Sequence, residues 1–278
     1  PRWPRPGRRR PHLMRVLVTG AGSGIGAATA RVLAAHDHEV VATARRLDAL
    51  APLADVVAHR LVLDVTSDAS VADAVTAAGP IDALVNNAGI SETGPLETFP
   101  HDVMVRMFDT NVHGPMRLIR AVVPAMRERG RRVVVNVTSV EGRVAAPLSG
   151  PYCATKHALE ALSEALAMEI APFGVRVVIV EPGYIAPGMR NNRRHGEDGT
   201  PYEELRRQWS GADATLVGPS GRPGPEVVGE AIAAALADPT TPLRVPVGAD
   251  AELVLATRKA QDDATFTATM REVLGITW

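Results

Sequence analysis

The chain has 278 residues, enough for one large domain or two small ones. Apolar residues make up 46% and charged residues 22%, and the formal net charge is −1, so no global field directs the protein to nucleic acid or an anionic membrane. The single cysteine, Cys153, excludes an intramolecular disulfide, and no apolar run reaches the roughly 20 residues that a membrane helix needs.

Residues 1–12, PRWPRPGRRRPH, hold five arginines, four prolines and no acid. The apolar stretch that follows is too short for a signal peptide. Residues 1–13 are expected to be a disordered extension, with Met14 a natural start. From there, Val/Leu/Ile runs alternate with Ala-rich segments. Strands are predicted at 15–20, 39–44, 58–65, 81–88, 131–139, 175–183 and 243–248, and helices at 24–36, 47–53, 68–78, 101–128, 151–171 and 226–237. Most of these strands are continuously apolar, as strands covered on both faces are. The expected architecture is α/β: a single-domain Rossmann fold over 14–278, a doubly wound, parallel seven-stranded sheet with helices on both faces. The Gly- and Pro-rich stretch 184–224 leaves a strand's C-terminal end, where ligands bind in such sheets, and is expected to be a lid.

The first strand runs into TGAGSGIG (19–26), with Gly20, Gly24 and Gly26 in GxxxGxG spacing and an apolar helix after it. Such a loop lets backbone approach a pyrophosphate, and the helix N-terminus offers N–H groups and a positive dipole end. At the end of the second strand, where a carboxylate would bond a ribose 2′-hydroxyl, the sequence has Ala44 followed by Arg45 and Arg46. Nothing there repels a 2′-phosphate and Arg45 can clasp one, so NADP is expected over NAD. Asp64 ends the third strand, placed to bond an adenine amino group.

Tyr152 and Lys156 are four residues apart in a predicted helix and so share a face. Pro151 suits the first turn and Ser149 its cap. A nearby ammonium favours phenolate, which would bring a phenol from its ordinary pKa of about 10 toward useful acid–base chemistry. Lys156 is one of only two lysines among 30 basic residues, and unlike arginine it is a movable point charge. Ser139 and NNAG (86–89) end strands at the same sheet edge. Asn111 interrupts a helical pattern, where a local kink is the natural reason. The eight histidines have no metal-ligand spacing, so no metal is expected. Cys153 points about 100° away from Tyr152 around the helix and reads as packing. Trp209 reads as a contact of a lid helix or of an interface.

In chain order, TGAGSGIG, Asp64, NNAG, Asn111, Ser139, Tyr152-x-x-x-Lys156 and EPG (181–183) resemble the short-chain dehydrogenase/reductase family, over about 14–250. VVATARRLDAL (40–50) looks most like its NADP-preferring branch, which includes steroid and retinol dehydrogenases. The resemblance implies that Tyr152 is the general acid/base. Lys156 would lower its pKa and bond the nicotinamide ribose, Ser139 would orient the substrate carbonyl, and Asn111 would hold a water relaying protons to Lys156. It implies cofactor contacts from Gly20, Ser23, Gly24, Ile25, Gly26, Arg45, Asp64, Val65, Asn87, Ala88, Gly89, Tyr152, Lys156, Pro182, Gly183 and Ile185. One departure is Pro187, where the family often has a threonine that bonds the nicotinamide carboxamide. The expected activity is hydride transfer between NADP(H) and an alcohol or carbonyl substrate. The alternative is a non-catalytic dinucleotide-binding sensor or scaffold, against which the presence of Tyr152, Lys156, Ser139 and Asn111 argues. A cytoplasmic homodimer or homotetramer is expected, with subunit contacts through the helix at 151–171, a small-molecule substrate, and neither nucleic acid nor membrane as partner.

Overall fold

The structure, a computed structural model, describes residues 13–130, 132–187, 193–195, 199–217 and 221–278. The extension expected at 1–12 lies outside the described residues, as do parts of the expected lid. The strands are β1 (Arg15–Val18), β2 (Glu39–Ala44), β3 (His59–Val62), β4 (Ala83–Asn86), β5 (Glu92–Thr93), β6 (Arg132–Val137), β7 (Val175–Pro182), β8 (Arg193–Arg194) and β9 (Arg244–Val247). The α-helices are α1 (Gly24–Ala35), α2 (Asp68–Ala78), α3 (His101–Phe108), α4 (Gly114–Arg129), α5 (Gly150–Ile170), α6 (Glu203–Val217), α7 (Glu226–Ala237), α8 (Ala249–Ala260) and α9 (Asp263–Val273).

Seven strands form one parallel sheet in the order β3-β2-β1-β4-β6-β7-β9, and β5 pairs with β8 in a separate two-stranded ribbon. Successive side chains of a strand point to opposite faces, and here both faces are covered. Val16, Val18, Val40, Ala42, Val133 and Val135 pack with Leu33 of α1 and Ile232 of α7. Their neighbours Leu17, Val41 and Val134 pack on the other face with Val71 of α2, Leu118 and Met126 of α4, and Ile170 of α5. This double burial is why β1, β2, β6 and β7 read as unbroken apolar runs. The chain moves outward from β1 to β3, then returns to β4 on β1's other side. The crevice beyond the carboxyl ends of β1 and β4 is therefore the topological switch point, where open α/β sheets bind ligands.

Two predicted helices differ from expectation. Residues Leu47–Leu53 form a 3-10 helix, and Pro52, which lacks an N–H, lies within it. The segment predicted as one helix at 101–128 is α3, a π turn over Asp109–His113, and α4. Asn111, expected to mark a kink, lies in that π turn. Helices α8 and α9 were not anticipated, and α6 falls within the stretch expected to be irregular.

Candidate active site

The carboxyl ends of the central strands open into a cleft of about 1580 Å³, which runs from the glycine loop past Tyr152 to α6 and the C-terminal residues. At its first end, Ser23 has extended backbone and begins α1. Gly24 has φ 54°, and no heavy atom lies within 4 Å of where its Cβ would be, so side-chain-free backbone faces open space there. A Cβ on Gly26 would clash with the Gly20 carbonyl and Asn87 Nδ2. Asn87 holds the loop: its Nδ2 donates to Thr19 O at 2.9 Å, and the N–H groups of Asn87 and Ala88 each donate to Thr19 Oγ1 at 3.0 Å. Strand β4 is thus tied to the end of β1, leaving the first N–H groups of α1 directed at the cleft.

Arg45 and Arg46 differ. Arg46 forms a bidentate pair with Asp48. Arg45 lines the cleft and makes no hydrogen bond or ion pair among the described residues. Asp64 Oδ1 accepts from Thr66 N–H at 2.9 Å and Thr66 Oγ1 at 2.7 Å, while Ser67 caps α2. Burial alone would raise the Asp64 carboxyl; the Thr66 bonds, with Arg45 and Arg117, hold it below its ordinary value. Ser23, Ile25, Val65, Gly89, Pro182, Gly183 and Ile185 also line the cleft, while Gly26 is packed behind the loop. An open glycine cradle at a helix N-terminus, with a free guanidinium beside it, fits a dinucleotide carrying an extra phosphate.

At the second end, the π turn positions Asn111. Its Oδ1 accepts from Ile90 N–H at 2.8 Å, and its Nδ2 donates to Ile90 O at 2.8 Å and Thr155 Oγ1 at 3.0 Å. Thr155 in turn donates to Tyr152 O at 2.7 Å. These bonds stitch the strand-end loop to the first turns of α5. Tyr152 and Lys156 share a face of α5, with Lys156 Nζ 5.6 Å from the phenol ring centroid. Lys156 is buried and donates to Val137 O at 3.0 Å. Ser139 begins the 3-10 turn Val140–Gly142; its Oγ accepts from Glu141 N–H at 3.1 Å and lies 3.5 Å from Pro182 O.

The electrostatics correct one expectation. Burial, reinforced by the Glu141 carboxyl, pushes the Tyr152 phenol well above its ordinary value, and only the Ser139 hydroxyl pulls it down. Lys156 is itself pushed down to about 8 by burial, against the pull of Glu160 and Glu141. Desolvation is the largest influence on both groups, and it disfavours the charged form of each. Ser149 occupies the cap position of α5, but its side chain makes no capping bond. Cys153 is buried, and burial pushes its thiol to about 12.

Over this end, Leu205 and Trp209 of α6 pack with Leu274 and Ile276 after α9. Gln208 Nε2 donates to Thr277 Oγ1 at 3.1 Å, and Gln208 Oε1 accepts from Thr277 N–H at 2.9 Å. Pro187 lines the cleft; beside it, Ala186 N–H donates to Pro223 O at 2.9 Å and Tyr184 N–H to Asp250 Oδ2 at 2.6 Å. Asp250, Thr155 and Glu141 escaped sequence reasoning. Thr155 had a signal, three residues beyond Tyr152 on the same helix; Asp250 had none.

Fold and cleft together define a dinucleotide-binding oxidoreductase of the Rossmann class. Residues 14–198 match the short chain dehydrogenase family. The chain is 33% identical over 252 residues to 3-ketodihydrosphingosine reductase of Bacteroides thetaiotaomicron, spanning 88% of this chain and 91% of that protein. It is 39% identical over 181 residues to retinol dehydrogenase 8 of Bos taurus, spanning 60% and 58%. A short-chain dehydrogenase structure from Streptomyces avermitilis superposes with a TM-score of 0.80 at 36% identity, covering 96% of this chain and 99% of that one. One from Burkholderia cenocepacia in complex with NADP gives 0.75 at 27% identity, covering 93% and 97%. The chain belongs to the short-chain dehydrogenase/reductase family of NAD(P)-dependent oxidoreductases.

Proposed function

We propose that the protein is an NADP(H)-dependent enzyme of one domain that interconverts a ketone or aldehyde with its alcohol. The observation that carries this reading is the placement of Tyr152 and Lys156 on one face of α5, in a cleft whose other end is the glycine loop. In this reading, backbone N–H groups at Ser23–Gly26 hold the pyrophosphate and Arg45 holds the 2′-phosphate. Asp64 and Val65 flank the adenine, while Asn87, Ala88, Gly89, Pro182, Gly183 and Ile185 flank the remainder. When bound, the nicotinamide supplies or accepts the hydride. Ser139 donates a hydrogen bond to the substrate oxygen, and Tyr152 delivers a proton to that oxygen during reduction.

A phenol that keeps its proton can give it to the substrate oxygen in reduction and take one back in oxidation. Lys156, at about 8, can in turn pass a proton to Tyr152, which an arginine cannot. Asn111 positions this pair through Thr155. Similarity to a protein named 3-ketodihydrosphingosine reductase supports carbonyl reduction, and similarity to retinol dehydrogenase 8 supports the reverse. Leu162 and Met168 are exposed on α5 and support assembly of a homodimer or homotetramer through that helix. The free Cys153 is in keeping with a cytoplasmic setting. A screen of NADPH oxidation over ketones, aldehydes, steroids and acyl-thioester ketones tests the proposal. Carbonyl-dependent oxidation is expected, with NADPH preferred to NADH; no oxidation across the panel contradicts it.

A further inference from the structure

One ionisable group of the cleft has no part in the chemistry above. Glu141 lies two residues beyond Ser139, in the Val140–Gly142 turn, and its N–H is fixed by Ser139 Oγ at 3.1 Å. It lines the same cleft as Ser139, Tyr152 and Lys156. Its carboxyl makes no hydrogen bond and no ion pair among the described residues. The cation with most influence on it, Lys156, donates instead to Val137 O. The wall that continues from this turn, Val144–Leu148, offers apolar side chains only.

Glu141 is half-buried and lines the cleft, so water can hold its carboxyl until a bound substrate displaces that water; a carboxyl then left without a donor is costly. Burial pushes Glu141 up to about 7, against the pull of Lys156. Among the described residues no donor on α5, on α8 or after β7 bonds the group, so the fold does not replace the displaced water. A ligand with a polar hydrogen can.

We propose that Glu141 reads the substrate, accepting a hydrogen bond from an ammonium or hydroxyl group borne next to the reacting carbonyl carbon. This rests on the carbonyl-reductase reading and narrows it to amino- or hydroxy-substituted ketones and aldehydes. The closeness of Glu141 to Ser139 places such a donor beside the carbon whose oxygen Ser139 and Tyr152 handle. The pairing also aids the reaction. Glu141 opposes the negative charge that forms on Tyr152 as it gives up its proton, and a donor on the carboxylate weakens that opposition.

The test compares kcat/KM, with NADPH, for 2-amino, 2-hydroxy and unsubstituted ketones of equal chain length, in the wild type, Glu141→Gln and Glu141→Asp. The wild type is expected to favour the donor-bearing ketones by about tenfold or more, mainly through KM, the size of one charge-assisted hydrogen bond. In Glu141→Gln the ratio of substituted to unsubstituted kcat/KM is expected to collapse toward one, while NADPH affinity by fluorescence titration holds. Should that variant not fold, Glu141→Asp, with the charge kept and the reach shortened, is expected to lose part of the same preference. A larger advantage for the amino than for the hydroxy ketone identifies an ammonium as the group read; equal advantages identify a hydrogen-bond donor of either kind, and both support the proposal. Equal ratios in wild type and variants overturn it, and so does a loss of NADPH affinity in Glu141→Gln, which would make Glu141 a cofactor contact. If the wild type reduces the unsubstituted ketone but shows no preference, this inference alone fails. If it reduces no carbonyl at all, the reductase reading fails first.

Discussion

The two ends of the cleft are built in different ways. The glycine-loop end is made by strand termini and the turns that leave them, braced locally by Thr19 and Asn87. The far end is made by α6, in the 203–217 stretch, packed on residues beyond 270. The first is a property of the sheet and tolerates little change. The second is a side-chain interface between segments distant in sequence, free to vary with substrate. That division predicts cofactor effects at one end and substrate effects at the other.

The severest test of the division is Gly26→Ala. Its Cβ would meet backbone at Gly20, and the overpacking is expected to cost about 1–3 kcal/mol of stability and to abolish NADPH binding. Thermal melting with fluorescence titration checks this; normal binding would show the loop to be more yielding than its packing implies. Next is Arg45→Ala, expected to weaken NADPH by about tenfold or more while leaving NADH nearly unchanged, the size of hydrogen bonds to a charged group. A parallel loss for NADH would place Arg45 outside 2′-phosphate recognition. At the other end, Trp209→Ala is expected to raise KM for bulky substrates by a few-fold, about 1 kcal/mol or less, with NADPH affinity intact. A change in cofactor affinity alone would break the comparison.

The smallest effect is in stability against pH. Glu141 and Glu181 both stand at about 7 against an ordinary 4.5, raised chiefly by burial. Carboxyls with raised folded values stabilise below their unfolded value and lose that contribution as pH rises through the folded one. Melting temperature is therefore expected to fall between pH 4.5 and 7, less so in Glu141→Gln. Lys156, pushed from 10.5 to about 8, acts in a separate window, its contribution present above 10.5 and lost as pH falls through 8. A rising melting temperature across 4.5–7 would contradict the assigned environments.

What was legible in the sequence follows the same division. The central strands could be read because burial on both faces leaves largely apolar runs, and the glycine loop, Asp64, Asn111, Ser139, Tyr152 and Lys156 because strand termini and helical spacing fix their positions; the edge strands β3 and β9 are only partly buried. The parallel, doubly wound character of the sheet follows from the alternation of elements, while its strand order emerges only from the fold. The far end was not legible. Helices α8 and α9 carry weak apolar patterns because much of their surface stays exposed, and nothing local shows that Leu274 and Ile276 pack on α6. The sense of the Tyr152 shift was also misread. Spacing gives the closeness of an ammonium, whereas the depth of burial and the Glu141 carboxyl emerge only from the folded chain.

The central claim is that Tyr152 provides the proton while the glycine-loop end independently holds the cofactor. Tyr152→Phe, measured for NADPH affinity by fluorescence and for carbonyl reduction by NADPH consumption, tests it most directly. Unchanged affinity with turnover reduced by about 10²–10⁴-fold, the usual range for a general acid, is the predicted result. A variant that keeps most of its turnover would contradict the account.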